Sequence, residues 1–146
     1  MQALLDIVAT LQTAEDGDGK APQLDRRLVE AARKTLTATG IDQAVQAYTL
    51  AFPSEVLLSE ELGVIDPSVV HAARNFARQE LAVQLEPELL ATYKATSVGS
   101  EAGTPYTFSQ DEVGRRRLRN ACLGLLAALP ASNDVRIIRA SLCVCV

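Results

Sequence analysis

Proline, glycine and capping side chains divide this sequence into segments of helical length, and within each segment the apolar residues recur at helical spacing. That punctuation constrains the fold more than any other feature. Gly40 is followed by Asp42, Pro53 by Ser54, Gly63 by Asp66-Pro67, and Glu86 by Pro87. Glycine accepts the left-handed conformation at a helix end. Asp and Ser accept hydrogen bonds from the free N–H groups of a first turn. Proline at the first helical position loses nothing, because its missing N–H would have had no partner there. Ser109 and Glu112 have the spacing of a capping box, and Pro130 stops the segment that follows.

Between these marks the spacing predicts about seven helices. The first covers residues 1–12, with Leu4, Leu5, Val8 and Leu11 on one face. A polar, Gly-containing stretch from Thr13 to Pro22 reads as a loop. A helix from Gln23 to Thr39 would bury Leu24, Leu28, Ala31, Ala32 and Leu36. A short one follows from Asp42 through Leu50, and another from Glu55 to Leu62. The helix opened by Asp66-Pro67 offers Val69, Ala72, Ala73, Phe76 and Leu81, with Val83 and Leu85 as further apolar positions. Pro87 restarts or kinks the chain ahead of Leu89, Leu90 and Tyr93. Residues 96–108 read as a loop. The last helix, 110–129, carries Val113, Leu118, Ala121, Cys122, Leu125 and Leu129 on a core-facing stripe.

Composition agrees with an all-α fold, either a helical bundle or a partial α-solenoid. Hydrophobic residues make up 48% of the 146, aromatics only 4%, and Trp is absent. Ala and Leu form helices well, whereas strands favour β-branched and aromatic residues. Short connections between successive helices favour antiparallel neighbours. The net charge of -4 argues against a nucleic-acid partner, since no broad basic face offsets phosphate repulsion. The one basic cluster, Arg115, Arg116, Arg117 and Arg119, is a possible interaction face for an acidic partner. Its simpler reading is a solvated or ion-paired helix surface. No run reaches the roughly 18 apolar residues of a membrane span, and the N-terminus lacks the basic region of a secretory signal. These features lead to the expectation of an intracellular chain, cytoplasmic or organellar, with no membrane partner.

No constellation of catalytic residues is visible. His71 is the single histidine, so an H-E-x-x-H pair cannot form, and His71 reads as a packing or surface residue. Cys143 and Cys145 form a C-x-C pair that could bind a soft metal, but no further ligand stands at a recognisable spacing. Cys122 lies on the apolar stripe and reads as a small core residue. Glu60 and Glu61 are adjacent, and neighbours on a helix do not face one another. No G-x-S-x-G elbow is present, and the glycines at 17 and 19 sit in an acidic stretch unsuited to phosphate. The expectation is no catalytic residue, no metal ligand and no cofactor in this chain.

Three blocks together carry a resemblance. Phe52-Pro53-Ser54-Glu55 leads through Glu60-Glu61-Leu62 to Val64-Ile65-Asp66-Pro67 and His71-Ala72-Ala73-Arg74. Glu88-Leu89-Leu90-Ala91-Thr92-Tyr93 follows, and then Gly114 through Leu123, closing on Leu126-Ala127-Ala128-Leu129. In order and spacing these blocks resemble the C-terminal helical domain of the aminopeptidase N family of zinc exopeptidases. The resemblance covers residues 1–129 and implies an armadillo-like superhelix. Residues 130–146 do not share it and are expected to form a divergent tail, as in a truncated product. In the family, zinc is held in a separate catalytic domain by H-E-x-x-H and a downstream Glu, and a G-x-M-E-N strand grips the substrate. Neither motif occurs here, so no catalytic residue carries over. The resemblance implies a domain that caps the active site and bounds the peptide chamber, with the parent's catalytic domain as partner and peptide substrate met only in the full enzyme. The alternative is a free-standing helical module for protein interaction. An isolated piece of a superhelix leaves faces uncovered, so marginal solubility is expected of it alone.

Overall fold

The structure is a computed structural model that describes residues 1–14, 21–97 and 108–129. Seven helices are found among them and no strand: α1 (Gln2–Ala14), α2 (Arg26–Thr37), α3 (Gln43–Thr49), α4 (Glu55–Glu60), α5 (Pro67–Gln84), α6 (Glu86–Ser97) and α7 (Gln110–Leu126).

The starts follow the capping chemistry closely. Asp42 Oδ1 accepts from the N–H groups of Ala44 and Val45 at 2.7 and 3.2 Å. Ser54 Oγ accepts from Leu57, and Asp66 Oδ1 from Ser68 and Val69. Ser109 Oγ accepts from Glu112 at 3.1 Å. The Glu112 carboxylate meanwhile holds Arg115, one turn on. Gly40, just past the end of α2, has φ 81°, a conformation open to glycine at little cost.

Several boundaries and faces differ from the sequence expectation. α1 continues through Thr13, whose hydroxyl bonds back to the carbonyls of Ala9 and Thr10. α2 begins three residues later than its apolar pattern suggests, because Asp25 caps it through the Arg27 N–H. Its buried face is Val29, Ala32 and Leu36, while Ala31 is exposed. On α5 the buried residues are Val69, Val70, Ala73, Ala77, Leu81 and Ala82, and Ala72 and Val83 face outward. Pro87 restarts the helix rather than kinking it. Leu85 caps α5 through its N–H to the Leu81 carbonyl, and α6 begins at the next residue. α6 also runs on to Ser97, with Thr96 buried and its hydroxyl bonded to the carbonyls of Thr92 and Tyr93.

The apolar side chains gather in two clusters bridged by α5. Leu4, Ile7 and Val8 of α1 meet Leu58 of α4 and the first half of α5. The second half of α5, with Leu81 and Ala82, packs with α2, α3, α6 and α7. Leu24 and Phe52 touch both clusters, so the two halves share one continuous interior. α7 lies against both α3 and α6. It comes close to α3 at buried Gly114, where an added Cβ would stand 3.2 Å from the Ala44 nitrogen. Gln46 closes the end of α2 from α3. Only 5% exposed, it donates to the carbonyls of Thr35 and Ala38 at 2.9 and 3.0 Å, at a helix end where the Thr35 carbonyl otherwise has only a long bond from the Ala38 N–H at 3.4 Å.

Candidate functional site

The arginine cluster sits on α7, where successive residues turn about 100° apart, so its members face different surroundings. Arg115 turns inward. Its side chain is 17% exposed and binds the Glu112 carboxylate at 2.7 and 3.1 Å. Its Nη1 donates to the carbonyl of Thr96 at 2.9 Å, which ties α7 to the end of α6. The Arg115 guanidinium holds the Glu112 carboxyl below the usual carboxylate range. Arg116 and Arg119 are half-buried. Arg117 is exposed and lies over the ring of Tyr48, 5.4 Å from its centre, with Nη1 3.2 Å from the phenol oxygen. Such a cation–π contact at the surface contributes about 0.5–1 kcal/mol. Tyr48 itself is 66% exposed, so the pair presents both a charge and an aromatic edge. Tyr48 escaped the sequence reading. Its position on the outer face of α3 becomes visible only once α7 is laid beside it.

His71 lies on the exposed side of α5. Its Nδ1 is 2.8 Å from Glu55 Oε1 and its Nε2 is 2.8 Å from Asn75 Nδ2. Both ring nitrogens are therefore engaged, and the contact ties α4 to α5. Among the described residues no group of three or more His, Cys, Asp or Glu side chains could hold a metal ion. Cys122 is fully buried in the α7 core, and burial pushes its thiol up to about 12, far from the thiolate form that nucleophiles and metal ligands need. Cys143 and Cys145 lie outside the described residues. No helix among them is long and apolar enough to cross a membrane.

One further surface stands out. Val56 and Leu57 on α4, and Val64 and Ile65 ahead of α5, are 70, 43, 79 and 54% exposed. Four large apolar side chains are thus exposed within ten residues of chain, the kind of surface usually covered by another. The adjacent pairs Val-Leu and Val-Ile were the available sequence signal, since neither pair fits a single helical face.

Residues 1–142 match the family described as a domain of unknown function (DUF3458_C), ARM repeats, a span that runs beyond Leu129. Aminopeptidase N of Escherichia coli (strain K12) is 34% identical over 126 residues, which are 86% of this chain and 14% of that protein. The aminopeptidase N of Caulobacter vibrioides is 34% identical over 117 residues, 78% of this chain and 13% of the relative. That of Haemophilus influenzae is 26% identical over 117 residues, 80% and 13% of the two chains. The chain thus spans about one seventh or less of the length of these relatives. With its all-helical architecture and this match, the chain belongs to the DUF3458_C ARM-repeat family, as a C-terminal domain of aminopeptidase N type.

Proposed function

We propose that this chain serves as the non-catalytic helical domain of an aminopeptidase N-like zinc exopeptidase, where it caps the active site and bounds the chamber that peptides enter. The observation that carries this proposal is the alignment itself: 86% of the chain corresponds to 14% of an aminopeptidase N, and the aligned residues lack an H-E-x-x-H pair. Zinc does not fit the residues present here. The single imidazole is occupied by Glu55 and Asn75, and no ligand group gathers among the described residues. No catalytic step is assigned to this chain, and the metal would be held by the parent's catalytic domain, its partner. The exposure of Val56, Leu57, Val64 and Ile65 supports burial against other parts of a larger protein. Within the arginine cluster, Arg117 on Tyr48 is the member suited to contact a partner, because Arg115 is committed to Glu112 and Thr96.

A graft tests the proposal. The aligned segment of Escherichia coli aminopeptidase N is replaced by this chain and compared with a version in which the segment is simply removed. The graft is expected to stay soluble, retain zinc and release N-terminal residues from short peptides, with the deletion impaired in yield or turnover. A graft no better than the deletion would contradict a shared structural role.

A further inference from the structure

A cleft of about 260 Å³ opens between the α3–α4 connection and the last turns of α7, with α5 along its side. Arg74 and Arg78 both line it. They stand four residues apart on α5, one above the other on the same helix face. Each is anchored to a different wall. Arg74 Nε donates to the carbonyl of Pro53 at 2.9 Å, and Arg78 Nη2 to the carbonyl of Gly124 at 2.9 Å. A guanidinium has five N–H donors in a planar fork, so most of each fork is left over after these bonds. Neither arginine has an ion pair among the described residues, and no Asp or Glu lines the cleft.

Two half-buried positive charges facing one small cleft reinforce each other's field and favour an anion there. The fork geometry selects for a planar acceptor with two oxygens, which a carboxylate provides. The rest of the lining selects further. Phe52 and Leu125 give it an apolar wall, suited to a side chain and unsuited to a fully hydrated inorganic anion. Asn120 adds one amide able to donate or accept.

We propose that the Arg74–Arg78 cleft binds a carboxylate carried beside an apolar side chain. Such a group occurs at the C-terminus of a peptide ending in an apolar residue, or as a Glu or Asp side chain flanked by apolar neighbours. The proposal does not depend on the aminopeptidase parentage, since it concerns only residues of this chain.

Titration calorimetry on the 146-residue chain uses four probes: the peptide Ala-Ala-Leu, its C-terminal amide, acetyl-Leu-Glu-Leu-amide, and inorganic phosphate. Binding of Ala-Ala-Leu that drops about tenfold or more in the amide identifies a terminal carboxylate as the ligand. Binding of the Glu peptide identifies a side-chain carboxylate. Either result supports the proposal. Because the arginines also hold backbone carbonyls, Arg74→Gln is paired with Gly124→Leu. A Cβ at Gly124 meets nothing within 4 Å, so that variant adds an apolar side chain at the cleft without removing either arginine. Both variants are expected to lose binding, with far-UV circular dichroism unchanged for Gly124→Leu. Arg74→Lys, which keeps the charge and loses the fork, is expected to restore binding only in part. The proposal is overturned if neither carboxylate peptide binds, if phosphate binds as tightly as the peptides, or if Gly124→Leu leaves affinity intact.

Discussion

Replacing Gly114 by alanine sets helix propensity against packing at one atom. Gly114 lies inside α7, and in a helix interior Ala is preferred over Gly by about 1 kcal/mol. Set against that gain, the new Cβ would lie 3.2 Å from the Ala44 nitrogen and 3.5 Å from Gln43 Cβ. The neighbour cannot easily yield, because the Ala44 N–H is held by Asp42 at 2.7 Å in the cap of α3. Overpacking of this kind typically costs about 1–3 kcal/mol. The net effect of Gly114→Ala is therefore expected to lie between zero and about 2 kcal/mol destabilising. Gly124→Ala is the internal control, on the same helix but opening on empty space, and should stabilise by up to about 1 kcal/mol. Urea denaturation followed by far-UV circular dichroism reads both. The Gly124→Ala midpoint should rise while that of Gly114→Ala stays or falls, and adding Asp42→Ala should reduce the difference between them by freeing Ala44 to move. Equal stabilisation by the two alanines would refute the close approach of α7 to α3.

Leu89, fully buried at the meeting of α2, α6 and α7, should lose about 2–5 kcal/mol of stability as Leu89→Ala, read as a lowered urea midpoint. Gln46→Leu should destabilise by about 1–3 kcal/mol, because it strands the Ala38 carbonyl and leaves the Thr35 carbonyl only its long bond from the Ala38 N–H; an unchanged midpoint would show that water replaces the amide. Cys122 should resist thiol reagents in the folded chain and react once urea unfolds it, followed residue by residue by mass spectrometry. Its folded pKa is raised from 9.0 to about 12, so the neutral thiol's contribution is complete below pH 9 and fades as pH rises through that interval. Asp66 behaves in the opposite sense. The Ser68 hydroxyl, with the N–H groups of Ser68 and Val69, lowers its carboxyl below 3.8. Its contribution is present above that value and is lost as pH falls through the lower, folded value, and Asp66→Asn should flatten the acid limb of the stability curve.

How far the sequence reveals the fold depends on the range of the interaction concerned. Asp42, Ser54, Asp66 and Ser109 act within three residues of themselves, so their helix starts could be placed from local chemistry alone. Asp25 is hidden for a local reason too: Leu24 before it extends the apolar pattern beyond the true cap. The wrong assignment of Ala31 and Ala72 to buried faces has another cause. Alanine fits either side of a helix, and only the position of the neighbouring helix decides. The end of α6 was beyond local reach, since the carbonyl of Thr96 is held by Arg115, 19 residues away. The same limit hid the partners of the arginine cluster. Four arginines within five residues suggest one charged face, yet helical rotation turns Arg115 toward α6 and Arg117 toward Tyr48. Arg74 and Arg78 drew no attention as a pair, because their shared cleft is walled by Phe52 and Leu125, which are distant in sequence.

The most direct measurement is made on the purified chain alone: zinc content by elemental analysis, together with release of the N-terminal residue from a chromogenic alanine amide. A domain whose role is packing and enclosure should hold no stoichiometric zinc and release no amine above the buffer rate, even with zinc added. One zinc per chain, with turnover that a chelator abolishes and zinc restores, would contradict it.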